Sequence, residues 1–255
     1  MKTRQTAIQV RRLTAGYGST AILEDISFDV YAGERFVILG GSGCGKSTLL
    51  KHMIGLLPPI SGDVQILGQS LVTADGKERN RILQQIGVAF QSGALFGSMT
   101  VLENVMLPLQ EYTRLPKDAI ADIARIKLGL VGLDMAAMKM PSELSGGMKK
   151  RAALARAMAL DPSVVFLDEP SAGLDPITSA ELDRLIIDLS DSLAITFVVV
   201  THELASIEAI AHRVIMLEKE KKAIIAQGAP KDLKQDRANR YVYNFFNRIT
   251  AEGEK

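Results

Sequence analysis

The sequence predicts an α/β fold with a mixed, largely parallel core sheet, an antiparallel β layer and an inserted helical subdomain. Short runs rich in β-branched residues alternate with helical patterns, as they do in a sheet covered by helices. A long segment rich in Met, Ala and Leu interrupts this alternation with helical spacing and without a strand pattern. With 255 residues, 47% of them hydrophobic, the chain can bury a core of this size.

The antiparallel layer is predicted at the start of the chain, where strand patterns at 8–13 and 26–31 flank a turn-rich segment at 15–18. A helix is predicted at 46–57, where two prolines follow. The core sheet is predicted from four apolar segments of strand length: 35–40, 86–90, 164–168 and 194–201.

These elements divide the chain into a discontinuous α/β core, 7–90 and 161–235, around a helical subdomain at 91–160. The remaining residues, 236–255, are predicted to form a helical tail. Apolar residues recur along this tail at helical spacing: Tyr241, Val242, Phe245, Phe246 and Ile249. Such a stripe is expected either to pack on its own domain or to contact a second copy of the chain.

Composition and charge exclude several classes of protein. The formal net charge is +1, so nucleic acid is not an expected partner. The N-terminus lacks the apolar core of a signal peptide, and no segment approaches the roughly 18 apolar residues of a membrane helix. The single Cys44 cannot form an internal disulfide, which is typical of a reducing cytosol. We therefore expect a soluble cytoplasmic protein unless a partner holds it at a membrane.

A phosphate-binding loop is predicted between the first core strand and the helix after it. Residues 40–47, GGSGCGKS, match G-x-x-x-x-G-K-[ST] in the required place. The backbone N–H groups can surround phosphates, Lys46 can reach the β- and γ-phosphates, and the Ser47 hydroxyl can bind Mg²⁺. The predicted ATP-binding residues of this segment are Gly40, Gly41, Ser42, Gly43, Cys44, Gly45, Lys46, Ser47 and Thr48.

The cysteine in this loop has two interpretations. The first is that Cys44 is a small residue that the loop tolerates. The alternative is a reactive thiol, because a helix N-terminus lowers the pKa of a nearby cysteine. In that case bound ATP would protect Cys44 from alkylation.

Two carboxylates after a later core strand complete the predicted site. The apolar segment Val164–Asp168 ends in a carboxylate, and Glu169 follows directly. Asp168 is expected to hold Mg²⁺ through its water shell. Glu169 is expected to orient and deprotonate the attacking water. The site therefore predicts ATP and Mg²⁺ as cofactors.

A second phosphate-sized site is predicted where another helix begins, because 144–148, LSGGM, places a serine and two glycines at its start. This segment resembles the signature motif of ATP-binding cassette (ABC) ATPases, a group of P-loop NTPases. The resemblance extends roughly from residue 7 to residue 235. It implies a head-to-tail dimer in which Ser145, Gly146 and Gly147 contact the γ-phosphate of the nucleotide held by the partner.

The same resemblance implies roles for four further residues. Tyr17 is similar to the aromatic residue that stacks on adenine. Gln91 resembles the glutamine that contacts Mg²⁺ and the attacking water, and His202 resembles the switch histidine that senses the γ-phosphate. Asp175 resembles the aspartate at the dimer seam.

The subfamily is indicated by 90–96, 104–109 and 144–156, which resemble the ATPase of Mla-type, Mce-linked phospholipid transporters. The small and apolar residues after Gln91 are expected either to receive a helix of a permease or, for Leu95 and Phe96, to be ordinary core. An alternative is a soluble ABC ATPase of iron–sulfur cluster assembly, because members of that group can show the same basic run after the signature motif.

The lipid-transport resemblance also implies a set of partners and a location. Two copies of the ATPase would lie beneath a permease dimer, with an Mce-type lipid-binding protein across the membrane. A small regulatory subunit is a further candidate partner. The ATPase would then be peripheral, at the cytoplasmic face of the inner membrane.

Overall fold

The computed structural model of the protein describes residues 5–249. Residues 250–255 of the predicted tail lie outside this range. The strands of the described range are, in chain order, β1 (Thr6–Tyr17), β2 (Thr20–Tyr31), β3 (Arg35–Gly40), β4 (Ser61–Ile66), β5 (Gln69–Ser70), β6 (Ile86–Ala89), β7 (Val164–Asp168), β8 (Thr196–Val200), β9 (Arg213–Glu218) and β10 (Ala223–Gly228).

Helices pack on both faces of the core sheet, which six of these strands form. Two of them are short 3-10 helices, Asp134–Ala136 and Pro141–Glu143. None of the helices between residues 5 and 249 is long and apolar enough to cross a membrane. The α-helices are α1 (Lys46–Met53), α2 (Gly76–Leu83), α3 (Val101–Tyr112), α4 (Lys117–Leu130), α5 (Gly146–Ala157), α6 (Pro176–Leu193), α7 (Leu204–Ile210), α8 (Pro230–Gln235) and α9 (Arg240–Asn247).

The strands form two sheets. The core sheet has the order β10-β9-β3-β8-β7-β6, and all its neighbours are parallel except β10, which is antiparallel to β9. The second sheet is antiparallel, with the order β2-β1-β4-β5. The predicted α/β fold with an added antiparallel layer is therefore confirmed.

The core sheet separates two hydrophobic clusters, because successive side chains of a strand point to opposite faces. In β7, Val164 and Phe166 pack towards the antiparallel sheet and α1. Val165 and Leu167 pack towards the helices of the other face. All four are buried, which explains why the strand has a continuous apolar sequence rather than an alternating one.

The predicted turn at 15–18 is wrong in its position. β1 continues through this segment to Tyr17, which pairs with Thr20 of β2, so the hairpin turn consists of the two residues between them. The β1 ladder contains several register irregularities, and a Cβ at Gly16 would lie 2.0 Å from the carbonyl oxygen of Thr20, so the hairpin requires a glycine there.

Helix α1 ends at Met53, four residues before the predicted end. The cause is Gly55, which adopts the left-handed conformation with φ 72°. Its N–H donates to the carbonyl of His52, and the N–H of Leu56 donates to that of Lys51. This is a glycine cap of the kind that ends many helices, and it precedes the prolines.

The segment 91–160, all of which is described, contains α3, α4, α5, the two 3-10 helices and no strand. Helix α3 begins with a capping box, in which Thr100 and Glu103 exchange side-chain to backbone hydrogen bonds. Helix α5 then returns the chain to the core sheet, where its last residue, Ala157, contacts β6 at Gly87.

We expect Gly87→Ala to destabilise the protein, because a Cβ at Gly87 would lie 2.0 Å from the carbonyl oxygen of Ala157. The end of α5 would have to move away from β6. Overpacking of this kind costs about 1–3 kcal/mol, which urea denaturation would measure as a loss in the free energy of unfolding.

The matched control is Gly129→Ala on α4. Gly129 is exposed, and an added Cβ meets no atom within 4 Å. Alanine is the better helix former, so this variant is expected to be as stable as the parent or slightly more stable. Equal losses in both variants would contradict a specific role for the close contact at Gly87.

Candidate nucleotide-binding site

The loop Gly40–Ser47 connects the end of β3 to the start of α1. Gly40 has φ 152°, and a Cβ there would lie 2.5 Å from the carbonyl oxygen of Leu217, so glycine is required. Lys46 is the first residue of α1, and its Nζ donates to the carbonyl oxygens of Gly40 (2.9 Å) and Gly41 (3.1 Å). The ammonium group therefore lies beside the free N–H groups of the helix N-terminus, where phosphate groups bind well.

A cavity of about 690 Å³ opens over this loop. Three parallel strands bring further side chains to it, because their carboxyl ends meet at one edge of the sheet. Gln91 follows β6, Glu169 follows β7 and His202 follows β8. The predicted loop residues in the cavity wall are Gly40, Gly41, Ser42, Gly43, Gly45, Lys46, Ser47 and Thr48.

Glu169 and His202 are in direct contact. Nδ1 of His202 lies 2.8 Å from Oε1 of Glu169, so that Nδ1–H donates to the carboxylate. Glu169 is buried, and its backbone has the left-handed φ of 47°. Its N–H donates to the carbonyl of Val200 at 2.8 Å, which holds this conformation. A non-glycine residue in such a conformation is uncommon and is often found at functional sites.

Two carboxylate oxygens of the site are buried without a hydrogen-bond partner: Oδ1 of Asp168 and Oε2 of Glu169. Burial raises the pKa of Asp168, and so does the adjacent charge of Glu169. Lys51, Lys46 and Lys150 act in the opposite direction and lower the pKa of Asp168. The two carboxylates therefore form a negative centre surrounded by lysines from two helices.

This negative centre fits a divalent cation. The buried oxygen of Asp168 lacks a donor, and carboxylate and hydroxyl oxygens are the ligands that Mg²⁺ prefers. Ser47 and Gln91 supply further oxygen atoms in the wall of the same cavity. Within residues 5–249, no cluster of three or more His, Cys, Asp or Glu side chains forms a complete metal cage. Mg²⁺ at this site would share its coordination with water and phosphate oxygens, as it commonly does.

Tyr17 lies beside α1 rather than in the cavity wall. Its hydroxyl accepts a hydrogen bond from Nζ of Lys51 at 3.3 Å, and this ammonium lies 5.7 Å from the ring centroid. A hydrogen bond with the side chain of Thr48 and the bond with Lys51 lower the pKa of Tyr17. The ring is exposed next to the phosphate loop.

The interpretation of Cys44 as a reactive thiol is wrong. Its side chain is only 2% exposed and belongs to the hydrophobic cluster beneath the loop, so it does not face the cavity. Burial raises the pKa of the Cys44 thiol and outweighs the opposing effect of Lys46. Cys44 is therefore a small buried residue, which agrees with the first interpretation, a small residue that the loop tolerates.

The signature segment is not brought to the phosphate loop of its own chain. Ser145 caps α5, with its Oγ accepting a hydrogen bond from the N–H of Met148 at 3.3 Å. Gly146 and Gly147 are the first two residues of this helix. The wall of the nucleotide cavity contains neither Ser145 nor either of these two glycines.

Asp175 has a similar capping role on α6. Its carboxylate accepts hydrogen bonds from the N–H groups of Ile177 (3.0 Å) and Thr178 (3.1 Å). The hydroxyl of Thr178 also donates to it and is the main cause of the lowered pKa of Asp175. Asp175 is likewise absent from the wall of the cavity.

The structure adds residues to the site that sequence patterns do not predict. Phe245 of α9 and Ile22 of β2 lie in the cavity wall. The same helix α9 buries Val242 and Phe246 against its own chain, while Tyr241 is exposed. The apolar stripe of the tail predicts this helix. The spacing of the stripe does not determine which of its residues faces the cavity.

Lys150 is another residue whose position is not predicted. Its Nζ donates to the carbonyl oxygen of Gln91 and, at 3.1 Å, to that of Glu169. Burial lowers the pKa of Lys150, although the charges of Glu169, Asp168 and Glu203 raise it. The sequence shows the basic run 149–151, but it does not show which of these three residues contacts the site.

The core sheet, the phosphate loop and the helical segment between β6 and β7 together define an ATP-binding cassette. The chain belongs to the ABC transporter family, whose family model matches residues 23–172.

Two groups of relatives are similar along most of the chain. The probable ribonucleotide transport ATP-binding protein mkl of Mycobacterium leprae is 47% identical over 196 residues, which are 77% of this chain and 56% of that protein. The chain therefore spans little more than half the length of that relative. The intermembrane phospholipid transport system ATP-binding protein MlaF of Haemophilus influenzae is 40% identical over 238 residues, 93% of this chain and 89% of that protein.

Solved cassette structures have the same fold. The ATP-binding cassette MJ0796, a dimer in a post-hydrolysis state with ADP and Pi, has a TM-score of 0.78 and 30% identity, with 87% of this chain and 98% of that chain covered. CbiO1 of Clostridium perfringens, part of the cbiONQ transporter complex, has a TM-score of 0.83 and 30% identity, with 98% and 100% covered.

The buried position of Cys44 predicts slow alkylation. We expect iodoacetamide to label the native protein at least about tenfold more slowly than the urea-unfolded chain, because labelling requires local opening and a thiolate. The raised pKa of the thiol further reduces the thiolate fraction, so native labelling should accelerate as the pH rises. The single cysteine makes the measurement specific to this site. Equal rates for native and unfolded protein would contradict the buried position.

Proposed function

We propose that this chain is the ATP-hydrolysing subunit of an ABC transporter that moves phospholipids. The observation that carries the ATPase activity is the single cavity in which the phosphate loop, Gln91, Glu169 and His202 meet. The phospholipid cargo is supported by the similarity to a relative whose name describes intermembrane phospholipid transport, which extends over 93% of the chain.

The proposed reaction transfers the γ-phosphoryl group of ATP to water. Lys46 binds the β- and γ-phosphates. Asp168, Ser47 and Gln91 would hold Mg²⁺, which would neutralise charge on the phosphate oxygens. Glu169 accepts a proton from the attacking water as the bond between the γ-phosphorus and the bridging oxygen breaks. ADP and inorganic phosphate are the products.

His202 orients this base. Its Nδ1–H donates to Oε1 of Glu169, which holds the carboxylate in one orientation, while the second oxygen, Oε2, is buried without a hydrogen-bond partner. The other ring nitrogen of His202 faces away from this bond and can sense the γ-phosphate. Tyr17, exposed beside Thr48 and Lys51, stacks on adenine in this proposal.

The proposal includes a head-to-tail homodimer. Ser145 and Gly146 are exposed at the start of α5 and lie outside the cavity of their own chain. They and Gly147 therefore present free N–H groups to the γ-phosphate of a nucleotide held by a partner. Asp175 lies at the seam of this dimer. The dimeric state of the similar cassette MJ0796 supports a dimer of this chain.

A permease is proposed to dock on the helical segment 91–160. A groove of about 410 Å³ is lined by residues of β6, of α3 and of the segment after Gln91. Phe96 is 50% exposed and Tyr112 is 56% exposed, and both line this groove. Leu95, by contrast, packs against the core cluster. Of the two interpretations given for this pair, core packing applies to Leu95 and a docking role to Phe96.

The remaining partners follow from the same proposal. Two permease subunits, an Mce-type lipid-binding protein and a small regulatory subunit complete the transporter, with the ATPase at the cytoplasmic face of the inner membrane. The alternative, an ATPase of iron–sulfur cluster assembly, finds no support in the relatives described above, whose names denote transport.

We expect Glu169→Gln to give a stable ATP-bound dimer and to reduce hydrolysis by about 10²- to 10⁴-fold, the usual contribution of a general base. Phosphate release measures the rate, and size-exclusion chromatography with Mg-ATP detects the dimer. The control is Glu220→Gln, which makes the same change at an exposed turn between β9 and β10. Hydrolysis by Glu169→Gln at the parent rate would show that Glu169 is not the base.

The transport proposal predicts which proteins the tagged full chain recovers from detergent-solubilised membranes. We expect a permease and an Mce-type protein with the parent chain, and at least about tenfold less of both with Phe96→Glu, because a charge would be buried in the groove. Ile126→Glu is the matched control, since Ile126 is 62% exposed on α4 and does not line the groove. Recovery of a soluble scaffold protein instead would favour the iron–sulfur alternative.

A further inference from the structure

Lys150 connects three parts of the molecule. It lies about one turn into α5, the helix that Ser145 caps. Its Nζ donates to the carbonyl oxygen of Gln91 and to that of Glu169. The helix of the signature segment is thereby joined to the two backbone segments that carry the glutamine and the proposed base.

The two hydrogen bonds that Lys150 donates are expected to be stronger than bonds from a neutral donor. A charged donor makes shorter and stronger hydrogen bonds than a neutral one, particularly where water is partly excluded. The carboxylates of Glu169 and Asp168 and that of Glu203 also stabilise the ammonium. Lys149, the preceding residue, makes none of these contacts, because adjacent helical residues point in different directions.

A second cation of α5 strengthens the same connection. The guanidinium of Arg156 donates to the carbonyl oxygens of Gly93 (2.9 Å) and Ala94 (2.8 Å). Together with the bond from Lys150 to Gln91, three hydrogen bonds join α5 to the segment 91–94. This segment and α5 are therefore expected to move as one body. Only Lys150 extends the connection to Glu169.

We propose that Lys150 is a positioning residue that couples the two nucleotide sites of the dimer. The start of α5 faces the nucleotide of the partner, whereas Gln91 and Glu169 face the nucleotide of the chain itself. When α5 contacts the nucleotide of the partner and moves, Lys150 transmits this displacement to the carbonyl groups of Gln91 and Glu169. Nucleotide binding at one site of the dimer therefore aligns the base of the other site. The inference rests on the proposed dimeric ATPase and does not depend on the transported lipid.

Lys150 does not line the cavity, so its effect should fall on turnover rather than on nucleotide binding. We expect Lys150→Met to lower kcat by about 10- to 100-fold, because misplacement of reacting groups by about an ångström has effects of this size. The Hill coefficient for ATP should fall towards about 1, since the coupling between sites is lost. The Kd for Mg-ADP should stay within about twofold of the parent value, because the phosphate loop is unchanged.

Two further variants separate positioning from a general loss of charge or stability. Lys149→Met removes the same charge one residue away and is expected to keep the parent kcat and Hill coefficient. Lys150→Arg retains a cation with several donors and is expected to restore most of the turnover. If Lys150→Met matches Lys149→Met in kcat and cooperativity, the inference is overturned.

Hydrogen–deuterium exchange tests the connection without turnover. In Lys150→Met, amide exchange should accelerate at 91–96 and 169–172, while α3 and α4 keep the parent rates. If Lys150→Met and Lys149→Met show equal exchange in both segments, Lys150 does not connect α5 to Gln91 and Glu169. A parent protein that binds nucleotide but does not hydrolyse ATP with its membrane partners would refute the proposed function, whereas unchanged exchange in Lys150→Met would refute the connection through Lys150 alone.

Discussion

The parallel pairing of β3, β8, β7 and β6 places the ends of four strands at one edge of the core sheet, and the candidate site depends on that register. Asp168 pairs with Val200, and Leu167 pairs with Ala89, so the residues that follow these strands emerge side by side. The strands are buried on both faces, and a shift of one residue would exchange the side chains of the two hydrophobic clusters. Packing of the whole interior therefore determines where Glu169, His202 and Gln91 lie.

Electrostatic compensation is the second constraint on the site. Asp168 and Glu169 bring two carboxylates into a buried region, which is costly unless cations or donors lie nearby. The lysines that compensate them belong to α1 and α5, on opposite sides of the sheet edge. Because one of these helices carries the phosphate loop and the other the signature segment, the charges of the centre depend on the relative position of both helices.

The fold and much of the site were predictable because the signals are local. The spacing of glycines, lysine and serine at 40–47 defines a phosphate loop wherever a strand precedes it and a helix follows. Continuous apolar runs of strand length identify β3 and β7, because this signal also lies within one segment. Strand β9 contains an apolar run of the same kind. Strand β4 has no such signal, since Gly62 and Asp63 are unfavourable in strands. Pairing with β1 and the hydrogen bonds that the Asp63 side chain accepts from Gln65 and Ser70 compensate this.

The sequence by itself determined the family, the α/β class, the phosphate loop and the carboxylate pair, because each depends on residue type and on spacing along one segment. Only the tertiary structure decided which way individual side chains face. It buries Cys44 beneath the loop, exposes Phe96 beside the partly buried Leu95, and directs Lys150 rather than Lys149 to Gln91 and Glu169. The physical reason is that these orientations follow from packing between segments far apart in the chain, which residue spacing within one segment does not encode.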